Sequence, residues 1–463
     1  EDFPYISFEE NKSRYRELEN WYDGSKLDET VTDKSGKRTE LYPVKINPLK
    51  STVLKHAAVL FGEVVDDGRA LVVPKLIPRD GDEQDKTYAA EATEALNMLW
   101  YENHGRELQL RNGIQSQIYG GCAFKLTYVP EETWRNIPIR IEIVPAKGFV
   151  GIPDASDMYR LARGWAIQTI DPAVAVEFGF YGDDDEMIYL IEKWDRGTYK
   201  VNINQELASK AIPGSPDRRD LAGVNKWGFV PMTYIPHIRT KDFYGESVIT
   251  QLRGLVKEMN LRAADFGDAV SDDAHVQLAA RNISGTPKVV EIAKGINVLL
   301  LPGSMSVTGK ESQPDIFPIK EGVASEAMGK LWDRLLDQYR RDAYIPAVAD
   351  GEDEGSQRSA MTLAFRMWPL GSHANQERIS WTSGLNWFNT MALKMMANQS
   401  VAKRMKKFGI TIKDEHLRMR MKQDWAPMFP RDREGIINEL AIRAAHNIGS
   451  IDHLLEIAGD IED

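Results

Sequence analysis

The chain has 463 residues, which is too many for one hydrophobic core of ordinary size. Of these residues 42% are hydrophobic and 27% charged, fractions that are typical of folded soluble proteins. The formal net charge of −11 argues against a protein that grips nucleic acid over its whole surface. The single cysteine, Cys122, excludes an internal disulfide and a cysteine zinc cluster, and no apolar run is long enough to predict a membrane span.

The first half of the chain alternates between helical and strand-like patterns. Helices are predicted over 8–22, 48–62 and 85–119, the last with a break at Gly105. Strands are predicted over 123–129, 137–144, 166–170, 187–194, 198–201 and 230–235. The segment 209–225, which contains Pro213 and Pro216, is interpreted as an exposed loop. This order predicts an antiparallel sheet with helices packed against it.

The pattern changes at Gly245, where a long amphipathic helix is predicted to run to about Asp268. At ~1.5 Å per residue such a helix would span about 36 Å. A β-rich insert follows over 273–318, and a second amphipathic helix is predicted over 323–344, where Pro346 stops it. The insert is therefore expected at the end of an antiparallel helical hairpin.

The last third of the chain begins with an acidic loop, "ADGEDEGS", at 349–356. A long helix is predicted over 357–399 with a kink between Trp368 and Gly371, where Pro369 interrupts the pattern. A basic stretch over 403–422 contains strand-like runs at 410–412 and 417–421. Two short helices are predicted over 432–447 and 451–458.

The usual motifs of enzymes do not support catalysis. A glycine loop at 303–311 differs from a nucleotide-binding loop, because five residues separate its glycines and Glu311 follows the lysine. His446 and His453 are interpreted as capping or surface residues, and Cys122 as a buried strand thiol. The sequence therefore predicts no cofactor, no metal site and no enzymatic activity.

Two charged sets leave alternatives open. The acidic residues Asp154, Asp157 and 183–186 could hold a metal in a nucleic-acid enzyme, although a solvated turn is the favoured interpretation of 183–186. The basic stretch could meet phosphates, or it could form a solvated strand face. Its members are Lys403, Arg404, Lys406, Lys407, Arg418, Arg420 and Lys422.

The order of these parts resembles the portal protein of tailed double-stranded DNA bacteriophages, over nearly the whole chain. Three stretches carry the resemblance: "IYGGCAFKLTYVPEETWRNIPIRIEIVPAKGFVGIPD" from Ile118, "FYGESVITQLRGLVKEMN" from Phe243 and "APMFPRDREGIINELAIRAAHNIGSIDHLLEIAG" from Ala426. Each stretch is a weak signal alone, since the helix starts in the second and third stretches are of a common kind, and the order and spacing of the three are the stronger signal.

The resemblance implies an α+β, portal-like subunit. It would comprise a mixed α/β wing (1–243), a first stem helix (244–270), a small β-rich clip (271–320) and a second stem helix (321–345). A tunnel loop (346–358), a second wing part with a long kinked helix (359–424) and a short helical C-terminal crown (425–463) would follow.

The resemblance also implies a function and partners. A homo-oligomeric ring, a dodecamer in the virion, would sit at one capsid vertex after assembly in the host cytoplasm. Its channel would pass double-stranded DNA during packaging and ejection. Terminase, a head-tail adaptor, the major capsid protein and a scaffold would be partners, without a membrane. The alternatives are another ring-forming structural assembly protein or a metal-dependent nucleic-acid enzyme.

Two groups of residues are expected to face the channel or the neighbouring subunits. An acidic lining repels the DNA backbone and keeps it centred, and glycines let a loop flex. The tunnel loop candidates are therefore Asp350, Gly351, Glu352, Asp353, Glu354 and Gly355. On the second stem helix, four basic residues are expected to line the channel or to form inter-subunit salt bridges: Lys330, Arg334, Arg340 and Arg341.

Overall fold

The computed structural model divides the chain into two units. It describes residues 5–32, 38–40, 44–62, 70–79, 82–170, 188–203, 220–240, 243–274, 278–283, 288–293, 296–302, 315–318, 323–350 and 365–428. The first unit combines 1–22, 49–251 and 344–463, and the second combines 23–48 and 252–343. Each unit is therefore assembled from segments that are distant in the sequence.

Helices and strands alternate along the described residues. The helices are α1 (Tyr5–Asp23), α2 (Leu49–Phe61), α3 (Glu83–Glu102), α4 (Gly105–Tyr119), α5 (Val248–Ala274), α6 (Val323–Asp342), α7 (Trp368–Ala397) and α8 (Gln399–Met405). The strands are β1 (Thr30–Thr32), β2 (Arg38–Glu40), β3 (Val72–Ile77), β4 (Gly121–Tyr128), β5 (Ile139–Val144), β6 (Phe149–Pro153), β7 (Leu161–Ile170), β8 (Ile188–Asp195), β9 (Thr198–Ile203), β10 (Asp220–Val224), β11 (Met232–Pro236), β12 (Leu278–Ile283), β13 (Lys288–Ala293), β14 (Ile296–Pro302), β15 (Asp315–Pro318) and β16 (Arg420–Trp425). This mixture confirms the predicted α+β class.

Three antiparallel sheets belong to the first unit. A three-stranded sheet has the order β11-β4-β5, a five-stranded sheet has the order β10-β9-β8-β7-β6, and β16 pairs with β3. Lys125 on β4 lies opposite Glu142 on β5, and its ammonium group also reaches Glu192 on β8. A buried ion cluster therefore links the three-stranded sheet to the five-stranded one.

The core of the first unit is built around α7. Trp381 and Phe388 of this helix are fully buried, as are Trp100 of α3 and Phe124 of β4. Their ring centroids lie between 5.3 and 6.2 Å apart in edge-on and tilted arrangements. The indole Nε1 of Trp100 donates to Asn389 Oδ1 at 2.9 Å, so its polar atom is satisfied inside the core.

A close backbone contact precedes α5. Gly120, with a φ of 86°, turns the chain from α4 into β4, and a Cβ there would lie 2.3 Å from the carbonyl oxygen of Gly245. The hydroxyl of Ser247 donates to the Ile118 carbonyl at 2.5 Å and accepts from Ile249 N at 3.1 Å. Ser247 thus caps the first turn of α5 and ties it to the end of α4.

The second unit contains α6, most of α5 and two small sheets. The strands β1 and β2 form a hairpin, and a four-stranded sheet has the order β13-β14-β12-β15 with β12 and β14 parallel. On α5, Asn260 accepts from Ile46 N at 2.7 Å and donates to Ile46 O at 2.8 Å. The asparagine amide satisfies both backbone groups as a neighbouring strand would, which fixes the chain beside α5.

Several predicted elements differ from the structure. The predicted loop is wrong at Asp220–Val224, which forms β10 against β9, and α5 continues to Ala274 beyond the predicted end. No strand forms at 410–412, whereas β16 lies further on. The predicted interruption of the long helix is present: Phe365 and Arg366 are helical, Met367 forms a turn, and Pro369 stands in the first turn of α7. Residues 357–364 lie outside the described part of the chain.

Cys122 is expected to resist thiol reagents while the chain is folded. It lies on β4 with 0% exposure, and burial raises the pKa of its thiol well above the usual range, so little reactive thiolate exists. Maleimide labelling at neutral pH should be slower than in denaturant by about 100-fold or more. In a folded Ser51→Cys variant, the new thiol at an exposed position of α2 should react rapidly, while Cys122 should still react slowly. Equal rates for Cys122 in folded and unfolded protein would contradict its burial.

Candidate functional site

The predicted tunnel loop is only partly described. Asp350 ends a short 3-10 helix, Ala347–Asp350, whereas Gly351 to Gly355 lie outside the described residues. Tyr344, which begins the segment leading to this helix, has a φ of 56°, a left-handed conformation that is uncommon for a tyrosine. That the loop faces a DNA channel stays a prediction.

The four basic candidates all lie on α6. Lys330 Nζ lies 2.7 Å from Glu326 Oε1 one turn earlier, an exposed pair of a kind that contributes little to stability. Arg334 and Arg341 are exposed and Arg340 is half-buried. Their predicted roles in a channel or between subunits concern other copies of the chain and stay predictions.

The other face of α6 is apolar and incompletely covered. Leu331 is 41% exposed, and three neighbours on the same face are half-buried: Trp332, Leu335 and Leu336. The face includes one buried member, Tyr339. A helix face with this much accessible apolar area is suited to contact with another protein surface.

The acidic set proposed for metal binding is already paired where the structure describes it. Asp154 forms an ion pair with Arg196, and Asp157 Oδ2 lies 3.0 Å from Arg160 Nε. Residues 183–186 lie outside the described residues, as do His446 and His453. Each described carboxylate therefore has an arginine as its partner.

The basic stretch is divided between structural and exposed residues. Arg404 donates to the backbone carbonyls of Pro130 and Glu132, so it fastens α8 to the turn after β4. Lys422 Nζ lies 2.7 Å from Asp424 Oδ1 on β16. The other members of the stretch are exposed: Lys403, Lys406, Lys407, Arg418 and Arg420. Of the candidates for phosphate contact, Arg404 is thus engaged with backbone carbonyls instead.

Four ionisable side chains meet inside the first unit, in what is called here the His–Glu cluster: His56, His237, His373 and Glu377. Their exposed fractions are 1%, 2%, 5% and 0%. His56 lies on α2, His237 follows β11, and His373 and Glu377 stand one turn apart on α7. Since buried charges are costly unless they are paired or bind a metal, this cluster is the strongest candidate site among the described residues.

Glu377 is the centre of the His–Glu cluster. Its Oε1 lies 2.8 Å from His373 Nδ1 and 3.2 Å from His237 Nε2. Its Oε2 accepts a hydrogen bond from Gln117 Nε2 at 2.5 Å. The imidazole of His56 completes the cluster, with its centroid 4.7 Å from that of His373. One carboxylate oxygen is therefore held by an amide while the other faces imidazole nitrogens.

The electrostatics of the cluster favour an ionised carboxylate. Burial alone would favour the protonated acid, but the charge of His237 and the proximity of His373 outweigh it and hold the pKa of Glu377 at about 2. Burial likewise disfavours a charged imidazole, yet Glu377 outweighs it and raises the pKa of His237. Glu377 thus presents a negative charge at neutral pH, and the charged form of His237 is its counter-ion when no metal is bound.

Sequence reasoning missed this cluster. No HExxH pair exists, and the histidines singled out were His446 and His453. The one local signal is the spacing of His373 and Glu377, which places both on one face of a helix. Two other members, His56 and His237, come from distant segments, so only the tertiary structure brings them together.

Comparison with known proteins gives one family. The family model described as "Phage portal protein, SPP1 Gp6-like" matches residues 7–463 of the chain. Among proteins of curated function, none is significantly similar in sequence.

Solved structures of gene transfer agent (GTA) particles are also similar to the chain. A chain in the neck of an empty particle, computed with C6 symmetry, is 12% identical with a TM-score of 0.43, and the match covers 89% of this chain and 90% of that chain. A chain in the neck of a native particle, computed with C12 symmetry, is 11% identical with a TM-score of 0.42 and the same coverage. A chain in the virion of a native particle is 11% identical with a TM-score of 0.40, over 96% of this chain and 93% of that chain.

Proposed function

The chain belongs to the SPP1 Gp6-like family of phage portal proteins, and on this premise we propose that its copies form a ring at one vertex of a phage capsid. The match over residues 7–463 is the observation that carries the proposal, and it confirms the resemblance noted in the sequence. The ring is a structural, non-enzymatic channel for DNA packaging and ejection. The subunit is made in the host cytoplasm and becomes part of the virion.

The ring is proposed to be a dodecamer that closes through heterologous contacts, in which one face of each subunit meets a different face of its neighbour. The apolar face of α6, which includes the 41% exposed Leu331, supports this arrangement. In the proposed architecture α5 and α6 are the stem helices, and the insert over 271–320 is the clip. The wing comprises 1–243 and 359–424, and residues 425–463 form the crown.

The channel is proposed to repel DNA rather than to bind it. Double-stranded DNA must move in both directions, so tight phosphate contacts would stall it. The loop from Asp350 to Gly355 supplies four carboxylates and two glycines, which suits a flexible acidic lining. We propose that this loop, within 346–358, is the tunnel loop.

The proposed partners follow from the same position at the vertex. The clip would meet terminase during packaging and a head-tail adaptor afterwards, while the major capsid protein and a scaffold would surround the ring. Among the described residues, no helix combines the length and hydrophobicity that a membrane crossing requires.

Electron microscopy of the purified chain tests the proposal. Class averages along the symmetry axis should show a ring of about twelve subunits around a hole wide enough for duplex DNA. A ring without a DNA-sized hole would favour another structural assembly protein. Monomers at high concentration and in several salt conditions would contradict both, and would return attention to the acidic residues as nuclease candidates.

A charge on the apolar face of α6 should prevent ring formation. Leu331→Asp would bury an unpaired carboxylate at each subunit contact, at a cost of about 3–5 kcal/mol, and should reduce the ring population about 100-fold or more. The substitution lies at a half-exposed position, so the monomer should fold. Asp337→Asn, an exposed change on the opposite face, is the matched control. Native mass spectrometry measures the oligomeric state of both variants. Intact rings of Leu331→Asp would refute the proposed subunit contact through the apolar face of α6.

A further inference from the structure

We propose that the His–Glu cluster is a binding site for one Zn²⁺ ion per chain, with His56, His237, His373 and Glu377 as its ligands. One candidate ligand atom from each of His56, His373 and Glu377 lies within 4.8 Å of the others. His237 Nε2, at 3.2 Å from Glu377 Oε1, supplies a fourth. The proposal concerns a site inside the subunit and is independent of the ring and its channel.

Among the described residues, three polar atoms that face one another inside the cluster lack hydrogen bonds, which favours a bound ion between them. Within the described part of the chain, His237 Nε2, His373 Nδ1 and Glu377 Oε1 make no hydrogen bond of acceptable geometry, although they lie within 2.8 to 3.2 Å. Buried polar atoms of native proteins almost always have a hydrogen-bond partner, so three such atoms facing one another need an explanation. A cation between them would satisfy all three at once.

The contact on the far side of His237 supports the same conclusion. Its Nδ1 lies 2.9 Å from the carbonyl oxygen of Glu246, which can only accept, so the proton of the neutral ring is on Nδ1. In that neutral form the Nε2 lone pair points toward the Glu377 carboxylate, which is unfavourable unless a proton or a metal ion lies between the two atoms. A backbone carbonyl that fixes the tautomer in this way is a common partner of metal-bound histidines.

Gln117 gives Glu377 a similar support. Its amide donates to Oε2 at 2.5 Å, which leaves Oε1 directed at the histidines. A carboxylate held through one oxygen by an amide is oriented as a single-oxygen ligand. Both sides of the cluster therefore carry the outer contacts that orient metal ligands.

The ligand set indicates the ion and its role. Three imidazole nitrogens and one carboxylate oxygen suit zinc better than calcium or magnesium, which prefer oxygen ligands. For bonds of about 2.0–2.2 Å, neighbouring ligand atoms of a tetrahedral site stand about 3.3 Å apart, which is close to the separations of Glu377 Oε1 from His237 Nε2 (3.2 Å) and from His373 Nδ1 (2.8 Å). Four protein ligands leave no open position, and the site is fully buried, so the ion would be structural rather than catalytic.

A bound ion would join three segments of the first unit: α2, the chain after β11, and the start of α7. It would also influence the segment that leads to the proposed tunnel loop, because the Tyr344 ring lies 4.9 Å from the His373 ring. The first residue of the segment 344–350 thus packs against His373, one of the proposed metal ligands.

The test is the metal content and spectrum of the full-length chain. Protein purified without chelator should contain about one zinc ion per chain, as measured by inductively coupled plasma mass spectrometry. Refolding with Co²⁺ in place of zinc should give the visible absorption of a tetrahedral cobalt site, which added Zn²⁺ removes. Refolding in a strong chelator should give protein with a lower thermal midpoint, and Zn²⁺ present during refolding should restore it.

The variants separate metal binding from folding. Glu377→Gln and His237→Gln should lower the zinc content about tenfold or more, and Gln117→Leu should weaken binding about 10–100-fold while all four ligands remain. His416→Gln is the matched control, because His416 is also a buried histidine paired with a glutamate, Glu91, at 2.8 Å. It should lose stability without losing zinc.

The measurements on the unmodified chain keep the proposal falsifiable even if the ligand variants fail to fold. Wild-type protein that lacks first-row metals after purification, and that refolds with Co²⁺ without a visible spectrum, would overturn the site. Glu377 and His237 would then form a buried carboxylate–imidazolium pair, with His56 and His373 packed beside it. Equal zinc loss in His416→Gln would also count against it.

Discussion

Lys125→Ala should lower the free energy of unfolding by about 3–5 kcal/mol, because it leaves two neighbouring carboxylates without their cation. Lys125 is 3% exposed, and its Nζ lies 2.7 Å from Glu142 Oε2 and 2.9 Å from Glu192 Oε1. Urea unfolding monitored by tryptophan fluorescence measures the loss.

The pH dependence of this contribution has a definite sign. Burial disfavours the ammonium form, but Glu192 and Glu142 outweigh it and raise the pKa of Lys125 above its usual value. A folded-state pKa above that of the unfolded chain means that the stabilisation is present below the ordinary lysine range, provided that the two glutamates are ionised. On the alkaline side it is lost as the pH rises through the raised pKa, so it should be constant near neutrality.

Two further variants identify the cause. Lys125→Met combined with Glu142→Gln and Glu192→Gln should recover most of the lost stability, since removing all the charges leaves none unpaired. Lys422→Ala breaks an exposed pair with Asp424 and should change stability little. A single Lys125→Ala variant as stable as wild type would show that the ion cluster contributes nothing to joining the sheets.

Gly120→Ala should also destabilise the first unit strongly, for two additive reasons. The φ of 86° costs about 1–2 kcal/mol for a residue with a Cβ. A Cβ there would also lie 2.3 Å from the Gly245 carbonyl oxygen, and overpacking of this kind costs about 1–3 kcal/mol more. The strain would fall on the contact that precedes α5.

A second glycine separates these two causes. Gly228 has a φ of 72°, but a Cβ there would meet nothing within 4 Å. Gly228→Ala should therefore lose only the conformational part, and the difference between the variants measures the steric part. Equal losses in thermal unfolding would mean that the Gly120 and Gly245 backbones are not in close contact.

Local patterns predicted most of the first unit because its helices and strands have regular periodicity. The break at Gly105 and the strand before Val144 lie close to their predicted positions. Elements that depend on distant partners were missed. The strand β3 pairs with β16 at the other end of the described chain. The strand β10 was missed for a local reason: it contains Asp220 and Gly223, residues with little preference for strands, and it pairs with β9, the strand before it.

The functional features also divide into those that continuous sequence reveals and those that only the tertiary structure brings together. The family resemblance could be recognised from ordered stretches of sequence, because each stretch is continuous. The His–Glu cluster could not, since three segments supply its members and no spacing links His56 to His237. Arg404 was grouped with phosphate-binding candidates because a sequence pattern shows charge, whereas its backbone carbonyl partners on Pro130 and Glu132 come from the fold.

The position of α7 in the chain has a consequence for synthesis on the ribosome. Trp381 and Phe388 belong to the aromatic core of the first unit, yet they emerge after all of α2, α3 and β4, which they pack against. The second unit, which ends at residue 343, is synthesised in full before α7 appears. Since N-terminal parts emerge first, the nascent first unit must wait with apolar surface uncovered, and we expect it to be a substrate for chaperones until α7 has emerged.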